Sequence, residues 1–184
     1  YSYLGARGYA RPGDYNSRVL LLVDGYRLND AIYGGGLIET AFIVDVDLIE
    51  RVEFVPGPGS AVYGSSAFFG VVNVVTKTGQ GLGRTEVSAE VASAGTVKGR
   101  VSHGQRYGNG VDMLVSATTF RRDGEDVYFP EFDDPASNNG VAQDLDHDRA
   151  KQFFYKVSNG MFTLETAYSS RTKAIPTAAF EQLF

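Results

Sequence analysis

Chemistry in this chain would have to start from its carboxylates and histidines. There is no cysteine, which removes thiolate nucleophiles, disulfides and cysteine-metal sites. His103 and His147 are the only histidines and lie far apart in sequence. Asp45, Asp47 and Glu50 crowd one short stretch, but they stand at the start of a strand-like run. Carboxylates there cap turns or bridge to cations rather than form an acid–base pair. Asp144-Leu-Asp146-His-Asp148 and Glu131-Phe-Asp133-Asp134 alternate carboxylates in a way that suits a hard cation such as calcium. They lack the sixth-position glycine and closing glutamate of a calcium loop, so they read as a solvated acidic loop. There is no GxSxG, no phosphate-binding lysine loop and no dinucleotide GxGxxG; Gly57-Pro-Gly59 is followed by a glycine only at position 64. These residues predict no catalytic site, no metal and no cofactor, and the chain reads as something other than an enzyme.

The elements that would position such residues fall into two patterns. Gly79-Gln-Gly-Leu-Gly83 reads as a linker, and before it the pattern is mixed. Arg18 to Val23 is a continuous apolar run ended by Asp24-Gly25, as in a strand buried on both faces. Leu37 to Leu48 has room for one or two helical turns. Arg51-Val-Glu-Phe-Val55 is a strand stopped by Pro56-Gly-Pro-Gly59. Ser60 to Phe68 predicts a short helix with Ser60 as its cap, and Val71 to Thr76 a closing strand. After Gly83 the period becomes two, over 85–92, 96–105, 111–121, 151–158 and 161–171. In each stretch one face is apolar and the other polar. Ala94-Gly95, Tyr107 to Gly110 and Ser158-Asn-Gly160 read as tight turns, while Asp123 to Asp148 is a long acidic loop. Strands of this kind, with short turns at one end and longer loops at the other, suit a membrane barrel, although Ala94-Gly95 puts a short turn where a surface loop would usually be. A soluble β-sandwich gives the same alternation.

With 12 Phe, 11 Tyr and no Trp, the aromatic content suits β structure and boundaries between water and apolar surroundings. A net charge of −5 argues against nucleic acid as a partner. The longest apolar runs fall well short of the roughly 20 residues of a membrane-spanning helix.

The stretch RVEFVPGPGSAVYGSSAFFGVVNVVTK, Arg51 to Lys77, resembles the plug domain of TonB-dependent outer-membrane receptors, where ERIEVxRGPxSxLYG…GGVINIxTK recurs. Ala6-Arg-Gly-Tyr9 is similar to that family's IRGF, Val19 to Leu28 to its VLVLVDGVPL strand, and Asp47 to Glu53 to its LDxIERIE. Pro56 stands where the family usually has an Arg.

The resemblance implies an α+β plug domain, a small mixed sheet with short helices, over 1–79. Antiparallel amphipathic strands of a truncated transmembrane β-barrel would follow over 80–184. About five strands are expected where the family's barrels have about 22, so the chain is expected to be a fragment of a longer protein. The implied location is the bacterial outer membrane, with the plug in the barrel lumen. The implied function is energy-coupled uptake of a scarce solute, a ferric siderophore first; cobalamin, haem, a copper chelate, an oligosaccharide or a surface receptor without transport are the alternatives. The implied partners are outer-membrane lipid, a small ferric chelate and the TonB–ExbB–ExbD complex, the last through a segment preceding Tyr1. Ligand is expected at loops 9–17 and 29–37, through Arg11, Tyr15, Asn16, Asn29 and Tyr33. Glu50, Arg51 and Glu53 are expected to bridge the plug to the barrel wall.

Overall fold

The computed structural model describes residues 3–6, 13 and 15–177. Two sheets carry the architecture. In the first, β1 (Val19–Val23) runs parallel to β4 (Gly70–Thr76), with β2 (Tyr26–Arg27) antiparallel on one side and β3 (Ile49–Pro56) antiparallel on the other. The apolar run of β1 is central and buried, as its lack of polar residues requires. β3 is the exposed edge, and Glu50 is the unpaired residue of a bulge between Ile49 and Arg51.

The expected turns within 37–48 form as two short 3-10 turns, Glu39–Ala41 and Val46–Leu48. The expected helix over 60–68 is shorter, α1 (Ser60–Tyr63), and Ser60 is not its cap. Gly59 occupies that position without a side-chain bond, and Gly64 ends the turn at φ +80°. Gly57 is required by close approach: a Cβ there would stand 2.4 Å from the Phe68 carbonyl oxygen.

The glycine-rich stretch read as a linker is instead a clamped helical turn, α2 (Gly79–Leu82). Thr78 caps it by accepting from Gly81 N–H, and the Asp112 carboxylate accepts from Gly79 N–H at 2.6 Å and Gln80 N–H at 2.8 Å. A Cβ on Gly79 would stand 2.1 Å from the Met113 carbonyl oxygen. Here the absence of side chains allows tight packing on the next sheet rather than flexibility.

That sheet has five antiparallel strands in the order β11-β10-β7-β6-β5. They are β5 (Thr85–Ala92), β6 (Thr96–Arg106), β7 (Asp112–Arg122), β10 (Asp148–Asn159) and β11 (Phe162–Lys173); the small ribbon β8 (Val127–Tyr128) and β9 (Val141–Ala142) lies within the long loop. Ala94 and Gly95 both have positive φ, 57° and 65°, which gives β5–β6 a two-residue turn matched to strand twist. The β10–β11 turn is centred on Gly160-Met161, one residue later than the Asn-Gly signal suggests, because Asn159 pairs with Phe162.

The two sheets share one core. Val23, Val44, Leu48 and Val74 pack with Leu82, Leu114 and Phe154. The alternation decides which side chains enter it: Leu114 and Phe154 point inward, while Val87, Val101, Phe153, Phe162, Leu164 and Tyr168 are exposed on the opposite face. No helix among the described residues is long and apolar enough to cross a membrane.

Candidate functional site

Two constellations have the geometry to carry function: a pair of loops at one end of the small sheet, and the polar seam between the two sheets.

In the loop pair, Asp30 organises 30–35. Its carboxylate accepts from the N–H groups of Ile32 (2.9 Å), Tyr33 (2.7 Å) and Gly35 (2.6 Å). These bonds, led by the one from Tyr33, hold the Asp30 carboxyl below the usual carboxylate range. Gly36 N–H donates to the Tyr15 carbonyl at 3.2 Å, which ties this loop to residues 15–17.

The expected ligand residues then separate into two groups. Tyr15 and Tyr33 stand 64% and 78% exposed. Asn16 and Asn29 turn inward instead. Asn29, 8% exposed, accepts from Leu21 N–H and donates to the Val19 and Gly34 carbonyls. Asn16 accepts from Leu4 N–H at 2.6 Å and donates to the Gly36 carbonyl at 3.1 Å. A buried side-chain amide must satisfy its donors and acceptors within the protein, and these two do so by fixing the loops. Arg11, and the Arg7-Gly8-Tyr9 element, lie outside the described residues.

The seam is built from charges of opposite sign on the two sheets. On β6, Lys98 Nζ lies 3.0 Å from Asp45 and 3.7 Å from Asp47, while Arg100 Nε lies 3.2 Å from Asp47 and 3.8 Å from Asp45. Arg100 also reaches Glu86 at 3.3 Å and donates to Ser102 at 2.6 Å. Asp45 additionally caps the 46–48 turn through Asp47 N–H. On β10, Lys156 Nζ lies 3.0 Å from Asp24 and 3.2 Å from Glu165, and Asp24 itself binds both the N–H and the hydroxyl of Thr76. Higher on β10, Asp148 accepts from Thr40 and Arg171. Buried ions need this density of partners, because each would otherwise lose its hydration uncompensated. A cavity of about 560 Å³ adjoins the seam, walled by Leu21, Val72 and Val74 on one side and Phe120, Ala150 and Gln152 on the other.

Among the described residues, Glu50, Arg51 and Glu53 take no part in this seam. Arg51 pairs with Glu50 at 3.5 Å and with Glu53 at 2.9 Å, and Asn73 donates to Glu53 at 2.9 Å, all on the exposed edge strand. Asn73, then Arg51, hold the Glu53 carboxyl below its ordinary range. The charges that do bridge the sheets, Asp24, Asp45 and Asp47, were visible to sequence reasoning as strand-end, cap or bridging residues without a partner. Their partners sit 51 to 132 positions away, beyond what spacing can signal. Among the described residues no group of three or more His, Asp or Glu side chains is arranged to hold a metal.

Comparison with known proteins agrees with this geometry. The TonB-dependent Receptor Plug Domain family matches residues 1–71. The vitamin B12 transporter BtuB of Vibrio vulnificus (strain CMCP6) is 34% identical over 134 residues, 71% of this chain; the chain spans 22% of that relative's length. Among solved structures, the ferric yersiniabactin uptake receptor FyuA from Yersinia pestis matches 93% of this chain and 25% of its own, with a TM-score of 0.54 and 21% identity. The pyoverdine outer membrane receptor FpvA from Pseudomonas aeruginosa PAO1 matches 92% of this chain and 22% of its own, with a TM-score of 0.55 and 12% identity. At these identities the structural likeness speaks for the fold.

Proposed function

The chain belongs to the TonB-dependent outer-membrane receptors, and because it does, we propose that the protein carrying it imports a scarce solute across the outer membrane, with a ferric siderophore as ligand. Residues 1–79 would serve as the plug and residues 80–184 as the opening strands of the barrel. The observation that supports the ligand assignment is the pair of exposed tyrosines: Tyr33 on a loop that Asp30 and Asn29 brace, and Tyr15, whose carbonyl accepts from Gly36 N–H of that loop. Phenol rings stack on a chelator's aromatic groups and donate to its oxygens, and a preorganised loop loses little entropy on binding. Arg11, on the same side of the sequence pattern, would supply attraction for an anionic chelate.

The seam fits the coupling step of such a receptor. Beside the shared apolar core, ion pairs would hold the plug against the wall, so a pull transmitted by the TonB–ExbB–ExbD complex would meet polar contacts that water can replace. Glu50, Arg51 and Glu53 would meet wall strands beyond these five. Cobalamin is the second reading, supported by the 34% identity to a vitamin B12 transporter.

Uptake by cells producing the whole receptor, with and without functional TonB, tests the proposal with ferric siderophores and cobalamin as solutes. TonB-dependent import of a ferric siderophore supports it, and import of cobalamin alone replaces it with the second reading. Binding at the surface without import in either strain would leave a receptor that senses or captures without transport.

A further inference from the structure

The outward face of the five-stranded sheet carries an asymmetry that uptake does not explain. Outward positions follow from the alternation: Val97, Gly99 and Val101 on β6; Met113, Val115, Ala117, Thr119 and Arg121 on β7; Arg149, Lys151, Phe153, Tyr155 and Val157 on β10. Among outward strand positions of the described residues, cations occur only at 121, 149 and 151, and no carboxylate shares that face within the strands. Arg121 and Arg149 are cross-strand partners, and Lys151 lies opposite Thr119, so the cations form one cluster. All sit at the end where β7 and β10 join through the long loop, which in a barrel of this kind is the outside of the cell. The opposite end, at the turns over 107–110 and 160–161, has no counterpart among the described residues.

Depth places the cluster at a headgroup. The apolar band spans Val97 to Val101 on β6 but Phe153 to Val157 on β10, although Val101, Ala117 and Phe153 share a register row. This slide toward the short turns is what strands tilted by about 35–45° require if the band is to stay level. Lys151 and Arg149 are the next outward positions above Phe153. They lie roughly 7 and 13 Å along the strand from it, or about 5 and 10 Å above the band after allowing for tilt. Long cationic side chains at that depth reach up to the polar layer.

Arg149 and Lys151 are exposed and have no ion pair or hydrogen bond among the described residues, whereas Arg121 shares Asp123 at 2.8 Å. Like charges directly across strands repel, so an anion between them is favoured. Resting on the reading of this sheet as barrel wall, we propose that Arg121, Arg149 and Lys151 bind the phosphate of a lipid headgroup in the outer leaflet.

The test uses the whole receptor purified in a non-ionic detergent, with bis-phosphorylated lipid A as probe and its dephosphorylated form and inorganic phosphate as comparators. The wild type is expected to bind the bis-phosphorylated lipid. The Arg149→Gln/Lys151→Gln variant is expected to lose about tenfold in affinity, with Lys151→Arg retaining it, as charge-assisted phosphate contacts imply. Equal affinity for the dephosphorylated lipid, or an unchanged affinity in the double variant, overturns the proposal. So does displacement of the lipid by inorganic phosphate, which would mark a general anion site. If the double variant fails to fold, the wild type decides alone: binding must weaken on raising salt, because exposed charge pairs are screened, and salt-independent binding sinks the idea. Fractionation of the same cells reads the barrel assignment separately. A receptor absent from the outer membrane overturns that assignment, whereas a correctly located receptor with unaltered lipid affinity overturns only the headgroup site.

Discussion

Phe153 and Phe154 are neighbours in sequence and opposites in setting. Phe154 is 2% exposed and packs among Val23, Val44, Leu48 and Val74 of the small sheet, while Phe153 is 40% exposed on the other side of the wall. The same division runs along every wall strand. Inward positions carry Lys98, Arg100, Ser102, Ser116, Thr118, Lys156 and Glu165; outward positions carry Val87, Val91, Val97, Val101, Leu164 and Tyr168. A soluble sandwich would bury its apolar face and expose the polar one. Here the polar face is the one covered by protein, and the apolar face is open. That inversion is what a wall between lipid and a plugged lumen needs, and it reads the alternation in a way the period alone cannot.

The contrast can be broken from either side. The largest effect is expected from Phe154→Ala, which should loosen the small sheet by about 3–5 kcal/mol through lost burial and a residual cavity. Phe153→Ala should leave that sheet intact, and amide exchange of β1 and β4 measures both. Arg100→Met should follow, at about 3 kcal/mol, because it removes a buried cation and leaves Asp45 and Asp47 with Lys98 alone; faster exchange of the 45–48 turn is the readout. On the outer face, Val101→Arg should cost about 2–4 kcal/mol of barrel stability in lipid, whereas the adjacent inward Ser102→Ala should lose only the hydroxyl bonds to Ser116 and Arg100. Urea unfolding of the receptor in lipid vesicles compares them.

The smallest effect concerns Asp30. Its folded pKa is lowered, so its contribution is present above the ordinary carboxylate value and is lost as pH falls through the folded value. Below about pH 4 the 30–35 loop should loosen progressively. Amide chemical shifts of Tyr33 and Gly35 across an acid titration check this, and Asp30→Asn should remove the transition.

Much of this was legible in the sequence where the signal is local. The unbroken apolar run of β1, the period of two after Gly83 and the paired turn residues Ala94-Gly95 each specify their element within a few positions. Contacts across the fold were not legible. Nothing near Asp24 in sequence announces Lys156, and the seam exists only once two sheets meet. The bracing by Asn16 and Asn29 was not legible either, because a loop amide that braces its own loop has the same composition as one that faces solvent. Gly79 to Gly83 read as a linker because glycine marks both freedom and close packing, and the approach of Met113 decides which. Arg51 read as a bridge from its charge; among the described residues its ion pairs are with its own neighbours, Glu50 and Glu53.

The inversion of the wall's two faces is the central claim, and it is directly measurable: these 184 residues hold no cysteine, and any elsewhere in the receptor is replaced by serine. Single cysteines placed in turn along 97–105 of the whole receptor in lipid vesicles would carry a spin label, and its collisions with oxygen and with a water-soluble nickel complex would be recorded. The account predicts high oxygen and low nickel accessibility at 97, 99 and 101, alternating with low accessibility to both at 98, 100 and 102. Nickel accessibility at 97, 99 and 101 as high as at an open aqueous site would contradict it.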